Sequence, residues 1–375
     1  MSETTMASQL FEAPETIRRM LITTWALLYS LTPEQRGQCE YPMDHPSRMD
    51  WDFIPKPDRT GVPLAVLGTH QRTIAQTLIR AGLSMKGYTK ALSIMAMENV
   101  LRELEAGAFG VTTGDFRHQD RYFLSFYGRP GFEDTWGWRL LGHHLSLSYT
   151  IIGQRYLTVT PCNMGAQPAS AGILAPLAED EDLGFALLRS LDDGLRRRAV
   201  IHPVAPADYA TRQVPLIGKV EYPDYVDLGI PWYRITDGDR EALKFVKDEP
   251  KGVPGSDLTD GQARMLTDLV HCYLDRMPEE VAAGYKRQID RAGLEQVWFC
   301  WAGGTEHGTS HYYRVQTNSI LIEFDNAIDN GNHIHSTWRD YRNDFGHDLL
   351  LDHYEKERAT GHHLRSRLES SVTDD

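Results

Sequence analysis

Four histidines stand in two short segments whose spacing could support chemistry: Gly142-His143-His144-Leu145-Ser146 and Asn332-His333-Ile334-His335. Side chains alternate along an extended chain, so His333 and His335 point to one face. Two imidazoles side by side are half of a metal site, because zinc, iron and copper take neutral imidazole nitrogens. Glu323 and Asp325, just upstream, also share a face, together with Leu321. Ile320, Ile322 and Phe324 mark the opposite face as core. Carboxylates so placed could complete a metal shell, orient a ligating imidazole or act as a general base. A solvated edge strand carrying its charges outward is the plain alternative.

His143 and His144 are adjacent, and neighbours on a strand face opposite ways. The run Trp138–Ile152 reads as one long strand, with His144, Ser146, Ser148 and Thr150 on a polar face. His143, Leu145, Leu147 and Tyr149 fall on a more apolar one. His144 is then the site-facing histidine and His143 a hydrogen-bonded neighbour, unless a bulge at Gly142 inverts them. The expected ligands are thus drawn from His143, His144, His333 and His335, with Glu323 or Asp325 as the catalytic carboxylate. Arg339 follows the second histidine pair closely, and Arg314 shares a strand face with Tyr312. Arg314, Arg339 and Tyr312 are therefore the expected substrate contacts, since a guanidinium suits a carboxylate or phosphate; structural ion pairing is the alternative for each arginine. Cys162 is a candidate nucleophile, but nothing in the sequence lowers its pKa. The chain contains no G-x-G-x-x-G, P-loop, G-x-S-x-G or H-E-x-x-H pattern.

The elements that must position these residues read as α+β: a mainly antiparallel sheet flanked by helices, with a helical N-terminal part. Apolar residues at helical spacing between Ile17 and Leu31 mark a docked amphipathic helix rather than an export signal after Arg18-Arg19. Thr32-Pro33-Glu34-Gln35 is a capping box, as is Thr259-Asp260-Gly261-Gln262. Further helices are expected over 70–80, 88–105, 183–191, 278–293 and 348–358. Strands are expected over 121–127, 156–160, 296–301, 311–316 and 319–326. The Pro-, Asp- and Gly-rich stretch 201–255 reads as a long irregular segment covering a site. The division that follows is a helical region over 1–110, an α+β body over 111–360 and a polar tail over 361–375. No internal repeat is evident.

Apolar residues make up 41% and charged residues 24% of the 375, which fits a folded globular chain. The formal net charge of −13 argues against wrapping nucleic acid or lying on anionic lipid. No stretch approaches the ~20 apolar residues of a membrane span. The four cysteines stand apart, with no metal-type spacing, and read as buried reduced thiols of a cytoplasmic protein.

Longer motifs carry a resemblance. Trp136-Gly137-Trp138-Arg139, Gly142-His143-His144-Leu145-Ser146-Leu147, Thr160-Pro161, Tyr312-Tyr313-Arg314-Val315-Gln316, Glu323-Phe324-Asp325-Asn326 and Asn332-His333-Ile334-His335-Ser336-Thr337-Trp338-Arg339-Asp340 are similar to the family catalogued as domain of unknown function 3500. Asp344-Phe345-Gly346-His347-Asp348-Leu349-Leu350 with His353-Tyr354 also fits. The resemblance runs from about Leu67 to Tyr354. It implies that both histidine segments lie in signature blocks of the family, and it implies no particular activity. The function expected from the residues is a metal-dependent hydrolase, with zinc or iron activating water on a small anionic substrate. An Fe(II)-dependent oxygenase and a metal-free small-molecule binding protein are the alternatives.

Overall fold

In a computed structural model, residues 11–109, 117–133, 135–217, 228 and 234–360 are described. The expected polar tail lies outside them. The strands are β1 (Glu40–Tyr41), β2 (Val62–Pro63), β3 (Phe123–Tyr127), β4 (Thr135–Gly142), β5 (Leu145–Ile152), β6 (Tyr156–Thr158), β7 (Cys162–Ala166), β8 (Val200–His202), β9 (Val253–Pro254), β10 (Trp298–Gly303), β11 (His311–Gln316), β12 (Ile320–Ile328) and β13 (His333–Asp340). They form a single sheet whose main path is β1-β3-β4-β5-β7-β13-β12-β11-β10-β8. Pairing is antiparallel from β3 to β10 and parallel only at the two ends, β1/β3 and β8/β10. The helices are α1 (Pro14–Ser30), α2 (Pro33–Gly37), α3 (Thr69–Ala81), α4 (Met85–Phe109), α5 (Ala178–Ser190), α6 (Asp193–Ala199), α7 (Asp237–Leu243), α8 (Asp260–Leu274), α9 (Glu279–Ala292) and α10 (His347–Thr360). The fold is α+β.

The two faces of the sheet differ in chemistry. One row crosses it strand by strand as Leu124, Leu140, Leu147, Cys162, Trp338, Ile322, Val315 and Phe299. This face packs against the helices in one hydrophobic cluster that also takes in Ile17, Leu78, Leu188 and Leu269. The adjoining row is Ser146, Asn163, Thr337, Glu323, Arg314 and Cys300, on the opposite face. Every member is buried. The polar face is covered by the largely irregular segment 42–61 and by the described parts of 203–252, which include the short helix Asp237–Leu243. Backbone carbonyls of these segments accept hydrogen bonds from buried polar side chains beneath them. Arg139 donates to Ser47 O, to Asp50 O at 2.6 Å and to Thr60 O at 3.3 Å, and Gln316 donates to Val246 O and Lys247 O. Carbonyl-rich loops thus partner many of the donors that burial would otherwise strand, although Arg139 Nε, Arg314 Nη2 and Arg339 Nη1 stay without a hydrogen bond among the described residues.

The order of elements repeats, contrary to the absence of repeats expected from the sequence. Helix, short helix, edge strand, covering segment, two-residue strand, two long helices and an antiparallel meander run from α1 to β7, and again from α5 to β13, with β6 and β7 together standing where the second half has β13, and with α7 added to the second covering segment. The strand order is palindromic about the β7/β13 seam. Equivalent contacts recur. Gln71 Nε2 donates to Ser30 O at 2.6 Å, and Gln262 Nε2 to Ser190 O at 2.7 Å. Gly61 and Gly252, each ahead of Val-Pro, both take positive φ (125° and 95°). In the two hairpins Arg139 faces Ser148 and Arg314 faces Glu323. Side chains have diverged almost everywhere while backbone roles persist, which is why the repeat is hidden in the sequence.

The run Trp138–Ile152 is corrected from one strand to a hairpin. Gly142 pairs with Leu145, and His143-His144 is the two-residue turn. A Cβ on Gly142 would lie 2.3 Å from the Tyr122 ring, so the chain turns tightly there. The strand expected at 156–160 stops at Thr158, and β7 and β13 are strands the sequence did not announce.

Candidate metal centre

The cluster forms at one end of the sheet, where the β4–β5 turn meets the start of β13. His144 takes φ 61°, an uncommon conformation for a side chain with a Cβ. Three backbone bonds hold it: His144 N–H to Phe53 O (3.0 Å), Gly165 N–H to His144 O (2.6 Å), and Asn163 Nδ2 to the same carbonyl (3.2 Å). His333 and His335 share a face of β13, as the alternation predicts. The His333 amide donates to Asn326 Oδ1 at 2.9 Å, which anchors the strand's first residue.

The three rings converge. His144 Nε2 and His333 Nε2 are 2.9 Å apart. The ring centroids lie 4.8 Å (His144–His333), 5.2 Å (His144–His335) and 4.8 Å (His333–His335) from one another. One nitrogen from each of the three lies within 4.8 Å of the others. Burial holds His144 well below the usual imidazole range, with the neighbouring His143, His335 and His333 adding to it. Burial also brings His333 down to about 3, with His335 contributing. Both rings are therefore uncharged at neutral pH, each with one nitrogen able to offer a lone pair. His333 Nδ1 is buried and lacks a hydrogen bond, with the Asp329 carboxylate at 3.6 Å. Neutral imidazoles converging on one point, one with an unsatisfied nitrogen, fit a divalent transition metal.

His143 is not turned away from His144, as a strand would require. In a turn both side chains can leave the same way, and the rings stack at 3.7 Å. His143 faces the helical layer, where its Nδ1 lies 2.5 Å from Glu98 Oε1 of α4 and 2.8 Å from Arg117 Nη1. Arg117 is also paired with Glu105. Burial pushes the Glu98 carboxyl up to about 8 despite the Arg117 guanidinium. Glu98, His143 and His144 form a second group of convergent donors. A guanidinium already supplies positive charge to that group, which sets it apart from the three-histidine cluster.

Asp325 lies directly across from His335 in the β12/β13 ladder, and Glu323 across from Thr337. Neither is on a solvated edge: β12 is interior and both carboxylates are fully buried. Glu323 is enclosed by Tyr312 Oη (2.7 Å) and the Thr211 hydroxyl. Among the described residues Asp325 accepts only from the Ala327 amide, at 3.3 Å, and its Oδ2 has no partner. Burial, reinforced by Asp208, pushes its pKa well above the carboxylate range.

Tyr312 thus serves Glu323. Arg314 donates to Leu243 O at 3.4 Å and lies over the Phe245 ring. Arg339 pairs with Asp344 at 2.7 Å, donates to Pro215 O and lies over Trp51. Neither arginine hydrogen-bonds a histidine of the cluster among the described residues. Cys162 sits in the apolar row, where burial pushes its thiol up to about 11, which removes the basis for a nucleophile there. All four cysteines are buried and unpaired.

Sequence reasoning missed Glu98, Arg117, Phe53, Asp208 and Tyr209. Only Glu98 left a signal: a carboxylate on the same helical stripe as Ala91, Ile94, Met95 and Leu101, all buried. Asp208 Oδ1 lies 3.0 Å from His335 Nδ1. The Tyr209 hydroxyl donates to Asn163 Oδ1 at 2.6 Å, and Phe53 packs edge-on against His335 at 4.8 Å. These come from the two covering segments, whose irregular sequence carries no periodic signal.

Among the described residues no helix is long and apolar enough to cross a membrane. No curated protein and no solved structure matches the chain. Residues 13–347 match the family described as "Protein of unknown function (DUF3500)". With most of its length matched, including both histidine segments, the chain belongs to that uncharacterised family.

Proposed function

We propose that this protein is a metal-dependent hydrolase whose ion, zinc or iron, is held by His144, His333 and His335. The observation that carries the reading is the convergence of three imidazoles, His144 and His335 buried and His333 partly so, from two distant segments within 4.8 Å. Three protein ligands leave a coordination position for water, and a divalent ion there lowers the pKa of that water toward neutrality. Asp325, unsatisfied and opposite His335, is the carboxyl group best placed to exchange a proton; Glu323 is already enclosed. The substrate in this reading is a small anionic molecule. Four buried thiols favour a reducing, cytoplasmic setting, and the charge of −13 disfavours nucleic acid as a partner.

One observation favours a second reading. Glu98, His143 and His144 make a two-histidine, one-carboxylate set, the ligand type of Fe(II) oxygenases. Arg117 at 2.8 Å from His143 weighs against a cation there.

The test is elemental analysis and calorimetric titration of chelator-stripped full-length protein with Zn²⁺ and Fe²⁺, followed by hydrolysis assays on carboxylate and phosphate esters with the preferred ion. One tight equivalent of metal with metal-dependent turnover supports the hydrolase. Absence of stoichiometric binding sinks it.

A further inference from the structure

We propose that Asp208 is the positioning residue of this centre: it fixes His335 in the tautomer that turns Nε2 toward the other histidines. The inference rests on the metal-centre reading above and adds how the second covering segment controls it.

A carboxylate can only accept a hydrogen bond, so the 3.0 Å contact between Asp208 Oδ1 and His335 Nδ1 requires the hydrogen on Nδ1. In the neutral ring the lone pair is then on Nε2. His335 faces the cluster with its ring packed between His144, His333 and Phe53. Without Asp208 the two neutral tautomers compete, and one of them places a hydrogen where the ligand lone pair belongs. Carboxylate-to-imidazole bonds of this kind hold ring orientation and raise ligand basicity, and losing one costs roughly 10–100-fold in metal affinity.

The residue is not on the sheet. It belongs to a four-residue run, 208–211, that touches three parts of the centre. Asp208 holds His335, Tyr209 holds Asn163, which in turn holds the His144 carbonyl, and Thr211 holds Glu323. The covering segment is therefore continuous with the support of the histidines. The counterpart of His335 in the first repeat is Thr158: Thr150 faces Thr158 as Asp325 faces His335. The counterpart of His144 in the hairpin turn is Ser319. The duplication therefore supplied the scaffold twice but the centre once, and Asp208 belongs to the half that carries both β13 histidines.

The test uses the full chain. Two-bond ¹H–¹⁵N correlation of the histidine rings in metal-free protein reads the His335 tautomer directly, and Zn²⁺ titration reads affinity. The wild type is expected to show Nδ1–H at His335. Asp208→Ala is expected to mix the tautomers and weaken zinc about 10–100-fold with circular dichroism unchanged. Asp208→Asn, whose amide oxygen still accepts, is expected to recover most of the loss. Thr211→Val, which removes a different contact of the same run, is expected to leave the tautomer unchanged. An Nε2–H tautomer in the wild type, or an Asp208→Ala protein with wild-type tautomer and affinity, overturns the assignment. If the wild type binds no zinc the metal reading fails, and the tautomer measurement alone still decides whether Asp208 positions His335.

Discussion

His144 and His333 place their Nε2 atoms 2.9 Å apart although they belong to different halves of a duplicated fold. One sits in the β4–β5 turn and the other opens β13, and the seam between β7 and β13 brings them together. Two unprotonated nitrogens at that separation gain nothing from each other unless one carries a hydrogen or both face a cation. On the proposed reading a divalent ion would take the place of that hydrogen and serve all three rings at once.

Replacing these ligands tests that directly. His144→Ala, His333→Ala and His335→Ala should each reduce metal affinity beyond the roughly 10–100-fold of a supporting residue. Arg314→Met and Arg339→Met should leave metal content unchanged. Plasma mass spectrometry of dialysed protein gives the comparison, and full metal content in His333→Ala/His335→Ala would remove the ligand assignment.

Gly165 is the second lever. A Cβ there would stand 2.7 Å from Ile334 O and 3.1 Å from the His144 ring. Gly165→Ala should destabilise by about 1–3 kcal/mol through overpacking and weaken metal binding as His144 is displaced. Chemical denaturation and zinc titration on one sample would show both; a change in stability alone would mean that the ring has room to move.

The duplication makes a paired prediction. Gln71 accepts from Gly68 N and donates to Ser30 O, and Gln262 accepts from Thr259 N and donates to Ser190 O. Gln71→Ala and Gln262→Ala should each cost about 0.5–2 kcal/mol, the range for a lost cap. Because they share no partner, the double variant should show the sum. Urea unfolding of the four proteins checks it, and strongly unequal values would mean that the two contacts are not equivalent.

Acid should destabilise the metal-free protein. Burial brings His311 down to about 4, and burial with His335 brings His333 down to about 3. Both depressed values lie below the unfolded imidazole value of ~6.5. The unfolded chain therefore binds more protons in this window, and stability present above pH ~6.5 is lost as pH falls toward these values. Glu98 acts oppositely: with its carboxyl pushed up to about 8, stability is full below the unfolded value of ~4.3 and is lost as pH rises through 8. His311→Gln should flatten the acid limb, and Glu98→Gln the neutral-to-alkaline one, in thermal melts across pH 4–9. If each variant's melts follow the wild type's pH dependence, these groups do not carry the linkage.

Much of the scaffold was legible because it obeys local rules. The capping boxes at Thr32 and Thr259 form as read, with reciprocal Gln35 and Gln262 contacts. Helical spacing located α1, α3 and α4, and alternation assigned Glu323 and Asp325 to one face and Ile322 and Phe324 to the other. The same alternation failed at His143-His144, because a two-residue turn looks like continuing strand when both flanks are apolar and β-prone. Gly142 was the visible cue, and only its contact with Tyr122 shows why a glycine is required.

The sequence by itself determined the residue types that can hold a metal, the α+β class and the faces of each strand, since these follow from side-chain chemistry and periods of 2 and 3.6 residues. Tertiary structure decided which histidines meet, that His143 joins Glu98 instead, that Arg314 and Arg339 serve the covering segments, and that Asp208 reaches His335. Those outcomes depend on strand order and on long loops crossing the sheet. The contacts link residues 45, 127 and 189 positions apart, and no local pattern in the chain encodes such a pairing.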